Sequence, residues 1–212
     1  MKNREAFHIT LAILILTIII GFESIITLNL PVLGFALLFS SLIIVINLCS
    51  KAIMASQLDA GVQNELWTFS RYGMKPGWHF KKPMPIGFIL PLILSIFSLG
   101  LVKFMTILTF EATALKRRAA KRHGIYSFTE LTDWHISLIA AGGIIGTLIL
   151  SFVSYWIPGL EGLSKFAAYY AFWNLLPISK LDGAQIFFGS RVLWTTLAII
   201  TAIFTAYALL LV

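Results

Sequence analysis

Apolar residues in this chain come in long unbroken runs separated by short polar stretches, not in the narrow stripe that a half-buried helix of a soluble domain shows. Five runs are near the roughly 20 residues that a bilayer span needs: Phe7–Leu28, Val32–Cys49, His135–Ile157, Phe166–Phe188 and Val192–Val212. A sixth stretch, Pro85–Phe110, is the least regular, with Pro91, Gly100 and Lys103 inside it. A lysine at the centre of a bilayer costs about 3 kcal/mol or more. Between the runs, Lys51–Met84 mixes turn formers, aromatics and alternating segments, which suits an interfacial hairpin or strand. Residues 111–133 are amphipathic and carry the densest basic run, KRRAAKRHG from Lys116 to Gly124. The pattern predicts an all-α polytopic membrane protein formed by a single domain over residues 1–212. It would have five or six transmembrane helices, a re-entrant or broken helical hairpin and a short interfacial β-like segment.

Charge decides between five and six. If Pro85–Phe110 crossed the membrane, the basic residues before it (Arg71, Lys75, Lys81, Lys82) and after it (Lys116 to Arg122) would face opposite sides. Cytoplasmic loops collect Lys and Arg, so a stretch that dips in and returns is favoured. Everything from Lys51 to Asp133 is then cytoplasmic together with Lys2, Arg4 and Arg191, and the near-neutral Pro158–Ser164 loop is outside. The expected location is the cell membrane, multi-pass, with six spans as the alternative. Composition agrees: 58% of the 212 residues are hydrophobic and only 12% charged, against roughly 25% charged in average globular domains. The mean hydropathy is +0.90. A net charge of +7 in such a chain reports cytoplasmic loops, so the bilayer and not nucleic acid is the expected partner. The N-terminal run outlasts a signal-peptide core and meets no A-x-A site, which predicts a retained first helix. The single cysteine, Cys49, excludes an internal disulfide and reads as a small packing residue.

The fifth run contains NLLPISKLDG, Asn174 to Gly183. Ionisable residues in a span are costly unless paired, hydrated or metal-bound. Pro177 removes a backbone bond to Trp173 and Gly183 adds a flexible point beside Asp182. One reading is purely structural: a kinked helix, Asn174 bonded to a neighbouring helix, and Asp182 paired with Lys180 or reaching to the interface. The other comes from resemblance. NLLPISKLDG resembles the N-x-x-P-x-x-x-L-D-G element of the zinc-dependent intramembrane site-2 proteases, through Asn174, Pro177, Leu181, Asp182 and Gly183. That resemblance implies a zinc ligand at Asp182, and substrate or oxyanion contacts from Asn174 with Pro177 beside it. The Ala/Gly-rich LIAAGGIIGT resembles the family's A-G-P helix, with Gly142 and Gly143 as its close-packing positions and Gly143 where proline is usual. MASQLDAGVQNELW resembles the segment after the family's first motif, so the likeness covers roughly Leu42 to Gly189.

The first motif itself departs. H-E-x-x-H puts two zinc-binding histidines one turn apart on a helix with the water-activating glutamate between them. Spacing from Ala55 and Trp67 aligns Asn47, Leu48 and Lys51 with those three positions, and a shift by one gives Ile46, Asn47 and Ser50. Asn47 is a weak neutral ligand, a protonated Lys51 repels metal, and Leu48 takes no proton from water. The four histidines, His8, His79, His123 and His135, include no i, i+4 pair. With no metal, Lys51 is the expected partner of Asp182 across two helices. The expected function is a catalytically inactive pseudoprotease that binds transmembrane or membrane-proximal segments, with no cofactor. The alternatives are an active metalloprotease holding Zn through unusual ligands, and a transporter or structural subunit, for which Pro85–Phe110 and Lys103 are the hints. Trp67–His79 suits either an edge strand that receives an extended segment or an aromatic belt.

Overall fold

The computed structural model describes residues 2–71, 79–115 and 131–211. The basic run from Lys116, His123 and the loop around Lys75 lie outside the described residues, as do the side chains of Arg71 and His79. The described chain is mostly helical, in the order α1 (Lys2–Ile20), α2 (Phe22–Ile26), α3 (Leu30–Gln57), β1 (Ala60–Leu66), β2 (Phe69–Arg71), β3 (His79–Met84), α4 (Ile86–Phe97), β4 (Leu108–Ala114), α5 (Asp133–Tyr155), α6 (Glu161–Asn174), α7 (Asp182–Gly189) and α8 (Arg191–Leu211). Among the described residues, three helices are long and apolar enough to cross a bilayer, α3, α5 and α8, and they indicate a membrane location.

Two compact units form, Met1–Ser40 with Asn64–Thr109, and Ser41–Gln63 with Phe110–Val212. In the first, Thr17 of α1 meets Ser40 of α3 through their hydroxyls at 2.6 Å, the kind of small polar contact that joins helices where lipid offers no hydrophobic drive. Glu5 accepts hydrogen bonds from the backbone and side-chain amides of Asn64. Trp67 donates its backbone N–H to Ile107 and stacks on Phe104. Strands β2 and β3 pair antiparallel, Phe69 opposite Met84. In the second unit the core gathers Ala55, Phe110, Ile139, Ile144, Ala171, Leu175 and Ile186, with α5 packed on both α6 and α7.

Four short strands modify the all-α expectation, and several expected boundaries move. The first run is helical from Lys2, breaks after Ile20 and continues as the five-residue α2. Pro85–Phe110 is not one helix. The twelve residues of α4 rise about 18 Å, short of the ~30 Å hydrocarbon core. Its end is set by Leu99 and Gly100, both at positive φ, with the Gly100 N–H bonded back to Ser95 in a helix-terminating turn. The chain then runs without regular structure to β4, which pairs with β1. Phe166–Phe188 is also interrupted: α6 stops at Asn174 and α7 starts at Asp182. Pro177 has no N–H to continue the ladder, and Ser179 sits in the left-handed region. Finally, α3 continues to Gln57 instead of ending at Cys49, so positions 47 and 51 lie inside it.

Candidate functional site

Three elements bring the polar residues of the two motifs together. On α3, Asn47 and Lys51 are four residues apart, hence on one face, and both are buried, while Cys49 points outward and is exposed. That face meets α5 at Gly143. A β-carbon there would lie 2.6 Å from Lys51 Cε and 2.9 Å from Asn47 Nδ2, closer than any side chain tolerates, so a glycine is what admits the two polar side chains. Gly142, its neighbour, lies against Met54. The third element is the break between α6 and α7. Leu181 is extended, and Asp182 opens α7, where a carboxylate is favoured by the exposed N–H groups and the helix dipole by about 0.3–1 kcal/mol. Gly183 fixes this turn against the end of α6, since a β-carbon would fall 1.9 Å from the Leu175 carbonyl oxygen. The same oxygen accepts a bond from the Trp194 indole at 3.0 Å.

The result is a buried ion pair. Lys51 Nζ lies 2.7 Å from Asp182 Oδ2, with side-chain exposures of 3% and 1%. This is the pairing that Lys51's place in the sequence suggests. The ammonium also sits over the Phe110 ring, 4.8 Å from its centroid, a cation–π contact that strengthens when desolvated. Among the described residues, Asp182 Oδ1 and Asn47 Nδ2 are buried without hydrogen-bond partners. Asn174, buried at the last position of α6, donates Nδ2 to the Tyr170 carbonyl at 2.8 Å. A pair of this kind is costly to break from one side, about 3–5 kcal/mol, because the remaining charge stays buried and uncompensated.

The remaining named residues fall around this centre. Leu48 is half-buried and Pro177 is exposed in the 175–181 break. Lys180 does not pair with Asp182; it faces Glu111 at 3.5 Å on the surface. His8 stands on α1, and His135 at the start of α5 is bonded to Thr132. No group of three or more His, Cys, Asp or Glu side chains able to hold a metal occurs among the described residues. Zinc needs deprotonated sulfur, imidazole or carboxylate donors. Around Asp182 the neighbours are instead an ammonium nitrogen and an amide, so the donor set does not fit the ion.

One feature beside this centre carries no clear signal in the sequence. Strand β4 was hidden at the tail of an apolar run, although its Thr109, Phe110 and Thr113 are strand-favouring types. Asp59 pairs with Leu115 and Trp67 with Ile107, so β1 and β4 are antiparallel. Backbone groups alternate in direction along a strand, so those of Phe110 and Ala112 face away from β1. That second edge of β4 carries no strand among the described residues. It borders a groove of about 450 Å³ lined by Glu111, Ala112, Asp133, Lys180, Gln185 and Phe188, among others. Gln185 reaches over it to the Phe110 carbonyl. No family model, curated protein or solved structure matches this chain.

Proposed function

We propose that this protein is a membrane-embedded pseudoprotease of the site-2 protease type, one that holds transmembrane or membrane-proximal segments without cutting them. The observation that carries the reading is the Lys51–Asp182 pair at 2.7 Å. Residues from two stretches far apart in sequence, Asp182 in the stretch that resembles one motif of that family and Lys51 at a position that spacing aligns with the other, meet at one buried point. What meets there is a lysine and an aspartate, a donor set that does not suit the hydrolytic metal of that family. The edge of β4 that carries no strand among the described residues, with its groove, would give an extended segment backbone partners, as in strand addition to a sheet edge. In this reading the chain crosses the membrane at α1, α3, α5, the broken α6–α7 segment and α8. Pro85–Phe110 dips in and returns, and the N-terminus and basic loops are cytoplasmic.

The test uses purified protein in liposomes with a single-span protein carrying an extended juxtamembrane segment. A photo-crosslinker replacing Ala112 is expected to capture that segment, whereas one replacing the outward-facing Ile149 of α5 captures much less. The captured protein is expected at full length by mass spectrometry. Cleavage that disappears in Asp182→Ala, or equal capture at the two positions, would sink the reading.

A further inference from the structure

We infer that Gln185 is a displaceable mask on the outer edge of β4: its side-chain amide holds the place at the Phe110 carbonyl that the backbone N–H of an incoming strand would take. The inference rests on the reading above, in which that edge receives an extended segment, and adds what controls access to it. Trp67 bonds Ile107 and Leu115 bonds Asp59, so Thr109, Glu111 and Thr113 turn their backbone groups toward β1, while Phe110 and Ala112 turn theirs outward. The outward carbonyl of Phe110 already has a donor, Gln185 Nε2 at 3.3 Å. The same nitrogen donates to the Lys180 carbonyl at 3.2 Å, so the amide spans from the strand to the break before α7. An uncovered strand edge invites pairing with any extended chain, and proteins commonly cover such edges. Here a single side chain covers the Phe110 position.

The seat is a loose one. Both bonds are longer than the ~2.9–3.0 Å usual for N–H···O contacts. Gln185 Oε1 is buried with no hydrogen-bond partner among the described residues, so the seated side chain leaves its acceptor unsatisfied, at a cost in free energy. Release returns Oε1 to water and restores the rotamer freedom of a long side chain. Helix α7 need not move, because Gly183 sets its place against Leu175. A segment that brings its own backbone N–H to Phe110 therefore exchanges one bond for another, and adds bonds at Ala112. A segment with proline opposite Phe110 has no N–H to offer and gains nothing by the exchange. The mask thus selects segments that pair over several residues.

The test uses the full chain in liposomes with a photo-crosslinker replacing Ala112. The probe is a single-span protein whose juxtamembrane segment is a run of alternating Thr and Val. Gln185→Leu keeps the bulk of the side chain and removes both donors; Gln185→Glu keeps the shape and removes them too. In both variants the probe density at half-maximal capture is expected to fall roughly three- to tenfold, the range of one net hydrogen bond, while the plateau of capture stays unchanged. Half-maximal densities equal to that of the unaltered protein, with capture at Ala112 still well above that at Ile149, overturn the inference alone. So does weaker capture in the variants, which would make Gln185 a contact of the segment, or a lowered plateau, which would make it a structural strut. Capture at Ala112 no greater than at Ile149 in every form sinks the reading of the edge and the inference with it. Should neither variant fold, the unaltered protein decides. On saturation with the probe, the Gln185 side-chain amide followed by 15N NMR is expected to exchange its hydrogens faster with water, and an unchanged amide signal during capture overturns the inference.

Discussion

Two lysines stand inside apolar stretches of this chain, and hydropathy treats them alike. Lys51 lies within α3 and Lys103 just beyond α4. The structure separates them. Lys51 is 3% exposed and its partner 1%, at 2.7 Å. Lys103 is 20% exposed and stands 3.9 Å from Glu23, whose side chain is 73% exposed. The first pair has been removed from its surroundings altogether, so its two charges depend on each other. The second keeps one partner open, so each charge retains other sources of stabilisation. Depth within an apolar run therefore says little about the energetic role of a charge; the match between partners says more. A chain keeps a fully buried pair only where several elements are held in register to match it, and here α3, α5 and the α6–α7 break supply that register.

The comparison breaks most directly at Lys51. Lys51→Met and Asp182→Ala are each expected to cost about 3–5 kcal/mol, because each leaves the other charge buried alone. Replacing both, as Lys51→Met with Asp182→Leu, is expected to recover most of that loss, since an apolar pair of similar volume is often as stable as the ion pair. Reversible unfolding in mixed micelles measures all three, and a double variant as unstable as the singles would mean the pair is not the dominant interaction. Gly183→Ala comes next. Its β-carbon at 1.9 Å from the Leu175 oxygen forces α7 away from α6, at about 1–3 kcal/mol by the usual cost of overpacking. The same change is expected to lengthen the Lys51–Asp182 contact, which a crosslink or spin-label distance between α3 and α7 would register.

The three apolar helices and the residues of the ion pair were legible in the sequence, for physical reasons. Span-length apolar runs have few alternatives in water or lipid, and a lysine and an aspartate in such runs need partners. The breaks were less legible. Pro177 announced a disturbance, but whether a proline kinks a helix or ends it depends on what the freed backbone groups meet. Here Leu175 accepts the Trp194 indole and Gly183 packs on its carbonyl, both contacts made after the chain has folded. Strand β4 was hidden because Ile107, Leu108 and Phe110 are buried like residues of a span; its register comes from β1, more than forty residues earlier. The groove along its outer edge follows from that pairing and has no signal of its own. The resemblance of NLLPISKLDG to one protease motif, and the spacing that aligns Lys51 with another, pointed to positions that converge, while the donor types there argue against the metal that the resemblance implies.

The smaller effects sharpen the same contrast. Lys103→Met is expected to cost less than about 1 kcal/mol, the range of partly exposed pairs, and a loss matching that of Lys51→Met would erase the distinction drawn above. Lys180→Ala is expected to do least. Its ammonium reaches Glu111 at 3.5 Å with both side chains more than half exposed, so the pair is screened and worth about 0.2–1 kcal/mol at low salt. The carbonyl of the same residue accepts a bond from Gln185, and that bond survives truncation of the side chain. Lys180→Ala is therefore expected to leave the unfolding midpoint nearly unchanged and to lose even its small effect as salt is raised. Lys51→Met is expected to keep its full cost in salt, because ions do not screen a pair they cannot approach. A parallel salt titration of the two variants thus measures burial directly. Equal salt sensitivity would show that the Lys51–Asp182 pair is as open as the one on the surface.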